Sequence, residues 1–176
     1  MAQIEIWNGD ICDLEVDAIV VPAIGSLWMS TGVSGAIKRA GGDAIEFAAI
    51  RQAPVDLGQA IVTTAGTLAA RAVIHAVSLD RDRRTSAETL EAAVRSAMMR
   101  AREMNATSIA IPALGSGVGG FPLDEGARIT VAAVKDELSA SPTIAHVVFA
   151  LRGSAAYQAF SQALQEATAM SSGAGS

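Results

Sequence analysis

The stretch Ser108-Ile-Ala-Ile-Pro-Ala-Leu-Gly-Ser-Gly-Val-Gly-Gly-Phe-Pro122 decides how the rest of the chain is interpreted. It begins with a short apolar run that ends at Pro112 and predicts a buried strand. Four glycines follow within six residues, and Leu123-Asp124-Glu125 then opens a predicted helix. A glycine-rich turn between a strand and a helix start presents unpaired backbone N–H groups at the positive end of the helix dipole. We therefore interpret residues 115–121 as a diphosphate-binding loop.

The glycines match the pattern G-x-G-x-x-G, which alone is weak evidence for a dinucleotide-binding fold. That fingerprint normally follows the first strand and needs an acidic residue about twenty positions later, at the end of the next strand. Here the loop comes late in the chain, and Glu137 falls within a predicted helix. No Gly-Lys-Ser/Thr follows, so the loop is not a P-loop. A glycine-rich turn without a ligand is the alternative that this motif leaves open.

The composition indicates one domain and narrows its partners. Hydrophobic residues make up 51% of the 176 residues, enough for a sizeable core, and the net charge of −5 argues against non-specific nucleic-acid binding. No apolar span of about eighteen residues and no signal-peptide pattern occur, so we expect a cytoplasmic protein without membrane contact. Cys12 is the only cysteine, which fits a reducing compartment. No cluster of metal ligands stands out, and we expect neither a metal nor another cofactor.

Predicted strands and helices alternate along the chain. Apolar runs predict strands at residues 4–7, 18–21, 60–64, 72–77, 107–111 and 146–151. Helical patterns cover residues 33–39, 43–51, 90–101, 127–138 and 157–167, and Thr85 with Glu88 forms a capping-box signature. This alternation predicts an α/β fold with a mainly parallel or mixed sheet and helices on both faces. Ligands of such sheets bind beyond the carboxyl ends of the strands.

Five ordered blocks of the sequence resemble the macro domain family. They are Gly9-Asp10-Ile11, Val16-Asp17-Ala18-Ile19-Val20, Gly32-Val33-Ser34-Gly35-Ala36-Ile37, Val73-Ile74-His75 and the stretch 108–122. The resemblance covers about residues 3–167 and implies a three-layer α/β/α sandwich that binds ADP-ribose and related adenine nucleotides. The corresponding domain is residues 1–168, with residues 169–176 as a flexible tail of small residues.

The resemblance also implies a role for each matching position. Asp10 would accept a hydrogen bond from the adenine amino group, and Phe121 would lie beside the distal ribose. Arg152 lies where a residue often stacks on adenine. The alternatives are a turn-capping Asp10, a core Phe121 and a surface Arg152. The implied ligand-binding residues are Asp10, Ile11, Gly32, Val33, Ser34, Gly115, Ser116, Gly117, Val118, Gly119, Gly120, Phe121 and Arg152.

The chain departs from hydrolytic members of the family on the distal-ribose side. They typically carry Asn-Ala-Ala-Asn where this chain has Val21-Pro22-Ala23-Ile24. Ser34, the one catalytic candidate, stands where many of them carry an aspartate, and serine is a poor general base near neutral pH. We therefore expect recognition of ADP-ribose, or of an ADP-ribosylated protein, without efficient hydrolysis. The alternative is an ADP-ribosyl hydrolase or O-acetyl-ADP-ribose deacetylase with a divergent active site.

Other conspicuous side chains have structural interpretations. Trp28 and Met29, in the altered loop, either cover the cleft as an apolar lid or belong to the core or a partner contact, and their presence leaves open that the chain binds a different ligand. The charged run 81–84 is interpreted as solvated surface rather than as a phosphate contact. His75 lies within a predicted strand and is interpreted as a hydrogen-bonded core histidine, and His146 is interpreted as structural.

Overall fold

The computed structural model describes residues 2–30, 32–116 and 120–173. The strands are β1 (Gln3–Asn8), β2 (Ala18–Ala23), β3 (Ala60–Thr64), β4 (Ala72–Val77), β5 (Ser108–Ile111) and β6 (His146–Leu151). The α-helices are α1 (Gly32–Gly41), α2 (Ala44–Ile50), α3 (Ala87–Glu103), α4 (Leu123–Ala140) and α5 (Ser154–Gly173), with a 3₁₀ turn at Ile11–Asp13. Within these ranges, no helix is long and apolar enough to cross a membrane.

All six strands form one mixed sheet in the order β1-β6-β5-β2-β4-β3. Only β3 runs antiparallel to its neighbour β4, and the other pairs are parallel. The carboxyl ends of β1, β2, β4, β5 and β6 therefore lie along one edge of the sheet. We call the segments that follow these five strand ends the rim.

Helices cover both faces of the sheet. Neighbouring residues of β2 point to opposite faces: Val20 packs in a cluster with Leu90 of α3, whereas Ile19 packs with Ile37 of α1 and Ile45 of α2. The first cluster also takes in buried residues of α4 and α5. The predicted three-layer α/β/α sandwich with a mixed sheet is thus confirmed.

The start of α3 differs from the prediction. Its N-cap is Ser86, whose hydroxyl accepts a hydrogen bond from the Thr89 N–H at 3.2 Å. The capping box predicted from Thr85 and Glu88 is therefore wrong by one residue. Ser86 has the extended backbone that an N-cap needs, and a serine with one oxygen on a short side chain caps as well as threonine.

The last helix is longer than expected, and one residue of its predicted buried stripe is wrong. The spacing predicts that Tyr157, Phe160, Leu164 and Ala167 face the core. Phe160 is buried and Leu164 and Ala167 pack against the core, but Tyr157 is 41% exposed, and its neighbour Ala156 is buried instead. The helix continues to Gly173, so residues 169–173 are helical rather than part of an unstructured tail. The Thr168, Ser171 and Ser172 hydroxyls donate to carbonyls about one turn earlier. Flexibility of this end stays a prediction, and residues 174–176 lie outside the described ranges.

Candidate functional site

The rim gathers the described residues of the predicted site. Asp10 and Ile11 follow β1, loop 1 (residues 24–30) follows β2, and Arg152 follows β6. Loop 2, defined here as residues 112–116 and 120–122, follows β5. Gly32, Val33 and Ser34 form the first turn of α1, directly beyond loop 1. Gly117, Val118 and Gly119, which were predicted to contact the diphosphate, lie outside the described residues.

Asp10 makes two polar contacts through different oxygens. As the N-cap of the 3₁₀ turn, its Oδ1 accepts the Cys12 N–H at 2.9 Å. Its Oδ2 accepts from Nη2 of Arg152 at 2.8 Å, and the Arg152 side chain is 75% exposed. The backbone N–H of Cys12, helped by Arg152 and opposed by partial burial, holds the pKa of this carboxyl below its usual value. Asp10 therefore caps a turn and also presents a carboxylate at the rim.

The neighbours of Asp10 are apolar in character. Ile11 is buried in the α1-side core, with 7% of its surface exposed. Cys12 is half-buried, and its Sγ donates to the carbonyl of Ala36 at 3.8 Å. Burial, reinforced by Asp10, raises the pKa of the Cys12 thiol to about 11. The thiol is thus protonated at neutral pH and is not a nucleophile there.

A buried carboxylate that the sequence did not reveal holds loop 1. Glu46 of α2 is 4% exposed. Its Oε2 accepts the Met29 N–H at 2.7 Å, and its Oε1 accepts from Lys38 Nζ at 2.9 Å. Burial acts to raise the pKa of Glu46, but the bonds from Lys38 and Met29 outweigh it and lower that pKa. The available signal was one carboxylate inside the otherwise apolar helix Ala44–Ile50.

The apolar side chains of loop 1 point in different directions. Met29 is 2% exposed and belongs to the core, so it is not part of a lid. Leu27 is also buried, with a φ of 64°, and Trp28 between them is 58% exposed. Of the two residues proposed to cover the cleft, only Trp28 is available at the surface.

The turn after β4 contacts loop 1. Asp80 Oδ1 accepts the N–H groups of Asp82 and Arg84, at 2.8 and 2.9 Å. Arg83 is half-buried, and its Nη2 donates to Ser30 Oγ at 3.0 Å. Arg81 and Arg84 are exposed, as expected for solvated surface, whereas Arg83 is half-buried and contacts loop 1 through an exposed hydrogen bond.

Loop 2 is closed by its own backbone. Gly115 has a φ of 80°, and the Phe121 N–H donates to its carbonyl at 3.0 Å. A Cβ at Gly115 would lie 2.8 Å from Cγ2 of Thr85, so glycine is required both by the backbone angle and by the space. Ser116 Oγ donates to the Ala113 carbonyl at 3.2 Å. Phe121 is half-buried and packs against the core of the α3–α5 face.

Each of the two histidines has a side-chain partner within the sheet. His75 is 1% exposed, bonds Thr63 Oγ1 at 2.9 Å, and has its pKa lowered to about 4 by burial. Its interpretation as a hydrogen-bonded core histidine is confirmed. His146 begins β6 and contacts Glu5 Oε2 at 3.2 Å, on the edge strand pair. Among the described residues, no group of three or more His, Cys, Asp or Glu side chains is placed to hold a metal ion.

The sequence of the chain is similar to a protein-family model and to several known proteins. The family model described as Macro domain matches residues 20–130. A macro domain-containing protein of Caldanaerobacter subterraneus is 39% identical over 170 residues, covering 93% of this chain and 97% of that protein. An O-acetyl-ADP-ribose deacetylase of Salmonella gallinarum is 40% identical over 141 residues, covering 77% of this chain and 79% of that protein.

A longer relative and two solved structures complete the comparison. An uncharacterized Mycobacterium tuberculosis protein is 42% identical over 165 residues, which cover 94% of this chain but 45% of that protein. The chain thus spans less than half of this relative. The Oceanobacillus iheyensis macrodomain with ADP superposes with a TM-score of 0.86 at 26% identity, covering 96% of this chain and 93% of that one. The Trypanosoma brucei macrodomain in complex with ADP-ribose gives 0.84 at 26% identity, covering 90% and 68%.

Proposed function

The chain belongs to the macro domain family, and we propose that it binds ADP-ribose or a derivative at the rim, recognising the adenosine diphosphate part. One observation carries the proposal. The Asp10 carboxylate, the start of α1 and loop 2 follow the carboxyl ends of β1, β2 and β5, which lie along the same edge of one sheet, with β6 between β1 and β5. Structures of the same fold from other organisms hold ADP and ADP-ribose.

Asp10 supplies the recognition of adenine in this proposal. A carboxylate accepts hydrogen bonds only, so it matches the exocyclic amino group of adenine and opposes the O6 acceptor of guanine. Arg152 already contacts one oxygen of this carboxylate and is largely exposed. An exposed guanidinium can leave that contact at little cost and cover a face of the base.

The start of α1 and loop 2 supply the diphosphate contacts. The chain has a net charge of −5, so an anion needs local donors. Helix α1 has ten residues and no acidic side chain in its first turn, whereas Asp124 and Glu125 lie in the first turn of α4. The positive end of the α1 dipole is therefore the more favourable of the two for a phosphate. Ser34 in this first turn is the side chain that would lie nearest to the anion.

Efficient hydrolysis is not part of the proposal. On the distal-ribose side, Ile24 offers no hydrogen bond, and Ser34 replaces the carboxylate that many hydrolases carry. The buried His75 is bonded to Thr63 and is not available as a base. The alternative is a deacetylase or ADP-ribosyl hydrolase, which the 40% identity with the Salmonella deacetylase favours.

Calorimetry with ADP-ribose, ADP, AMP and NAD tests the binding proposal. We expect ADP-ribose and ADP to bind and AMP to bind more weakly. No heat of binding with ADP-ribose at millimolar ligand would refute the proposal. Incubation with O-acetyl-ADP-ribose and with a mono-ADP-ribosylated protein tests the alternative, and turnover that Ser34→Ala abolishes would establish it.

A further inference from the structure

We propose that Arg83 is a positioning residue that fixes loop 1 relative to loop 2, and that it thereby favours ligands with two linked phosphates over those with one. This inference rests on the proposed function, because it concerns the diphosphate side of the same cleft. Three features carry it: the turn that presents Arg83, the contact with Ser30, and a contact of the same segment with loop 2.

The turn that presents Arg83 is held by several hydrogen bonds. The Asp80 carboxylate accepts two N–H groups of the turn, and the Asp80 N–H donates to the Arg84 carbonyl at 2.9 Å. The Leu79 N–H donates to the Ala23 carbonyl, which ties the start of the turn to the end of β2. Arg83 itself has a φ of 61°, an uncommon backbone angle for a residue other than glycine.

This turn brings the guanidinium to loop 1. Arg83 Nη2 lies 3.0 Å from Ser30 Oγ, although 53 residues separate the two along the chain. Ser30 is two positions before Gly32, where α1 begins and where the proposed function places the first phosphate contact. Ser30 is exposed and Arg83 is half-buried, so this hydrogen bond joins the turn to the solvent-facing end of loop 1 and restrains it there.

The same segment also contacts loop 2. Thr85, two residues after Arg83, packs against Gly115. A Cβ added at Gly115 would lie only 2.8 Å from the methyl carbon of Thr85. Arg83 and Thr85 thus link the two loops through six residues of chain that start at Asp80. A ligand with two phosphates bridges both loops and depends on their separation, whereas a monophosphate needs only one of them.

The test compares Arg83→Ala with two matched variants by calorimetry. Arg81→Ala removes the same charge from an exposed position of the same turn, and Arg83→Lys keeps the charge and one hydrogen-bond donor. We expect Arg83→Ala to weaken the binding of ADP-ribose and ADP about fivefold and the binding of AMP less than about twofold. Arg81→Ala should stay within about twofold of wild type, and Arg83→Lys should recover most of the loss.

A ligand-free measurement separates this inference from the proposed function. Hydrogen exchange of a peptide covering residues 24–30 should be faster in Arg83→Ala than in wild type or Arg81→Ala. Unchanged exchange would overturn the inference, as would an equal loss for AMP and ADP or an equal effect of Arg81→Ala. If exchange is faster in Arg83→Ala but the wild-type protein binds no ADP-ribose, the proposed function is refuted and Arg83 is left as a restraint on loop 1.

Discussion

Replacement of Asp10 by asparagine should change which base the cleft prefers. In wild type, Oδ1 caps the 3₁₀ turn by accepting the Cys12 N–H, and Oδ2 faces the exposed Arg152. Asparagine keeps one oxygen for the cap, so the turn is retained. The second position becomes an NH₂ donor, which opposes the adenine amino group and suits the O6 acceptor of guanine.

The expected loss of affinity follows from the hydrogen bond that adenine would make to Asp10 and from the ion pair between Asp10 and Arg152. A hydrogen bond to a charged group contributes about 1.5–3 kcal/mol, which is roughly 10–150-fold in affinity. The ion pair between Asp10 and Arg152, which adenine would have to share or replace, is exposed: 75% of the Arg152 side-chain surface and 38% of the Asp10 side-chain surface are accessible. Such pairs contribute about 0–1 kcal/mol, so little is lost when the arginine moves. Asp10→Asn should therefore weaken the binding of ADP by about 1–3 kcal/mol and lower the ratio of the ADP affinity to the GDP affinity at least tenfold.

Calorimetry with ADP and GDP at pH 7.5, and with ADP-ribose from about pH 8 to low pH, tests this reasoning. The pKa of Asp10 lies below its usual value, so its contribution to the affinity for ADP-ribose, whose diphosphate is esterified at both ends and does not titrate in this range, should be constant from about pH 8 to pH 5. It should fall only as the pH drops through that lowered pKa, because protonation replaces an acceptor by a donor. Asp10→Ala is the less informative variant, since loss of the cap costs about 1 kcal/mol of stability. An unchanged ADP-to-GDP ratio in a folded Asp10→Asn protein would remove Asp10 from the base site.

Three further predictions concern stability and reactivity. Glu46→Gln should lower the free energy of unfolding in urea by about 2 kcal/mol, because one oxygen cannot accept from both Met29 and Lys38; an unchanged unfolding midpoint would contradict this. Ser78→Ala should leave that free energy unchanged or raise it by up to about 1 kcal/mol, since the buried Ser78 Oγ has no hydrogen-bond partner among the described residues; a clear loss would reveal a partner. Cys12 should react with iodoacetamide at pH 8 roughly 100-fold more slowly than a free cysteine peptide, because its pKa is raised to about 11; comparable rates would contradict that pKa.

Local patterns in the sequence were sufficient to predict the strands, the helices and the α/β class, whereas the three-layer sandwich was implied by the resemblance of five blocks to the macro domain family. The run Ala18–Val21 is fully buried in β2, and the apolar spacing from Leu90 to Ala101 matches the buried face of α3. Such patterns involve residues within one or two turns of each other, so they can be recognised in a single sequence. In α5 the same spacing predicted the core contacts of Phe160, Leu164 and Ala167 but not the exposure of Tyr157, because small alanines fill the buried face at that end of the helix.

The candidate site depends on contacts that no local pattern contains. Arg83 meets Ser30 across 53 residues, and Glu46 meets Met29 across 17. In the sequence, Arg83 is one of three arginines in a charged run, and nothing there distinguishes it from its exposed neighbours. Only the sheet order, which places β4 beside β2, brings the turn after β4 onto loop 1.

These contacts suggest that the two halves of the cleft bind in different ways. On the diphosphate side, Glu46 and Arg83 hold loop 1 before any ligand arrives, so little ordering entropy is lost on binding. On the adenine side, Asp10 is paired with an exposed Arg152, and the base must share or replace that contact. Changes to Glu46 or Arg83 should therefore alter the affinity for every diphosphate ligand alike. Changes to Asp10 should alter the choice of base, and measurements on one panel of nucleotides can separate the two effects.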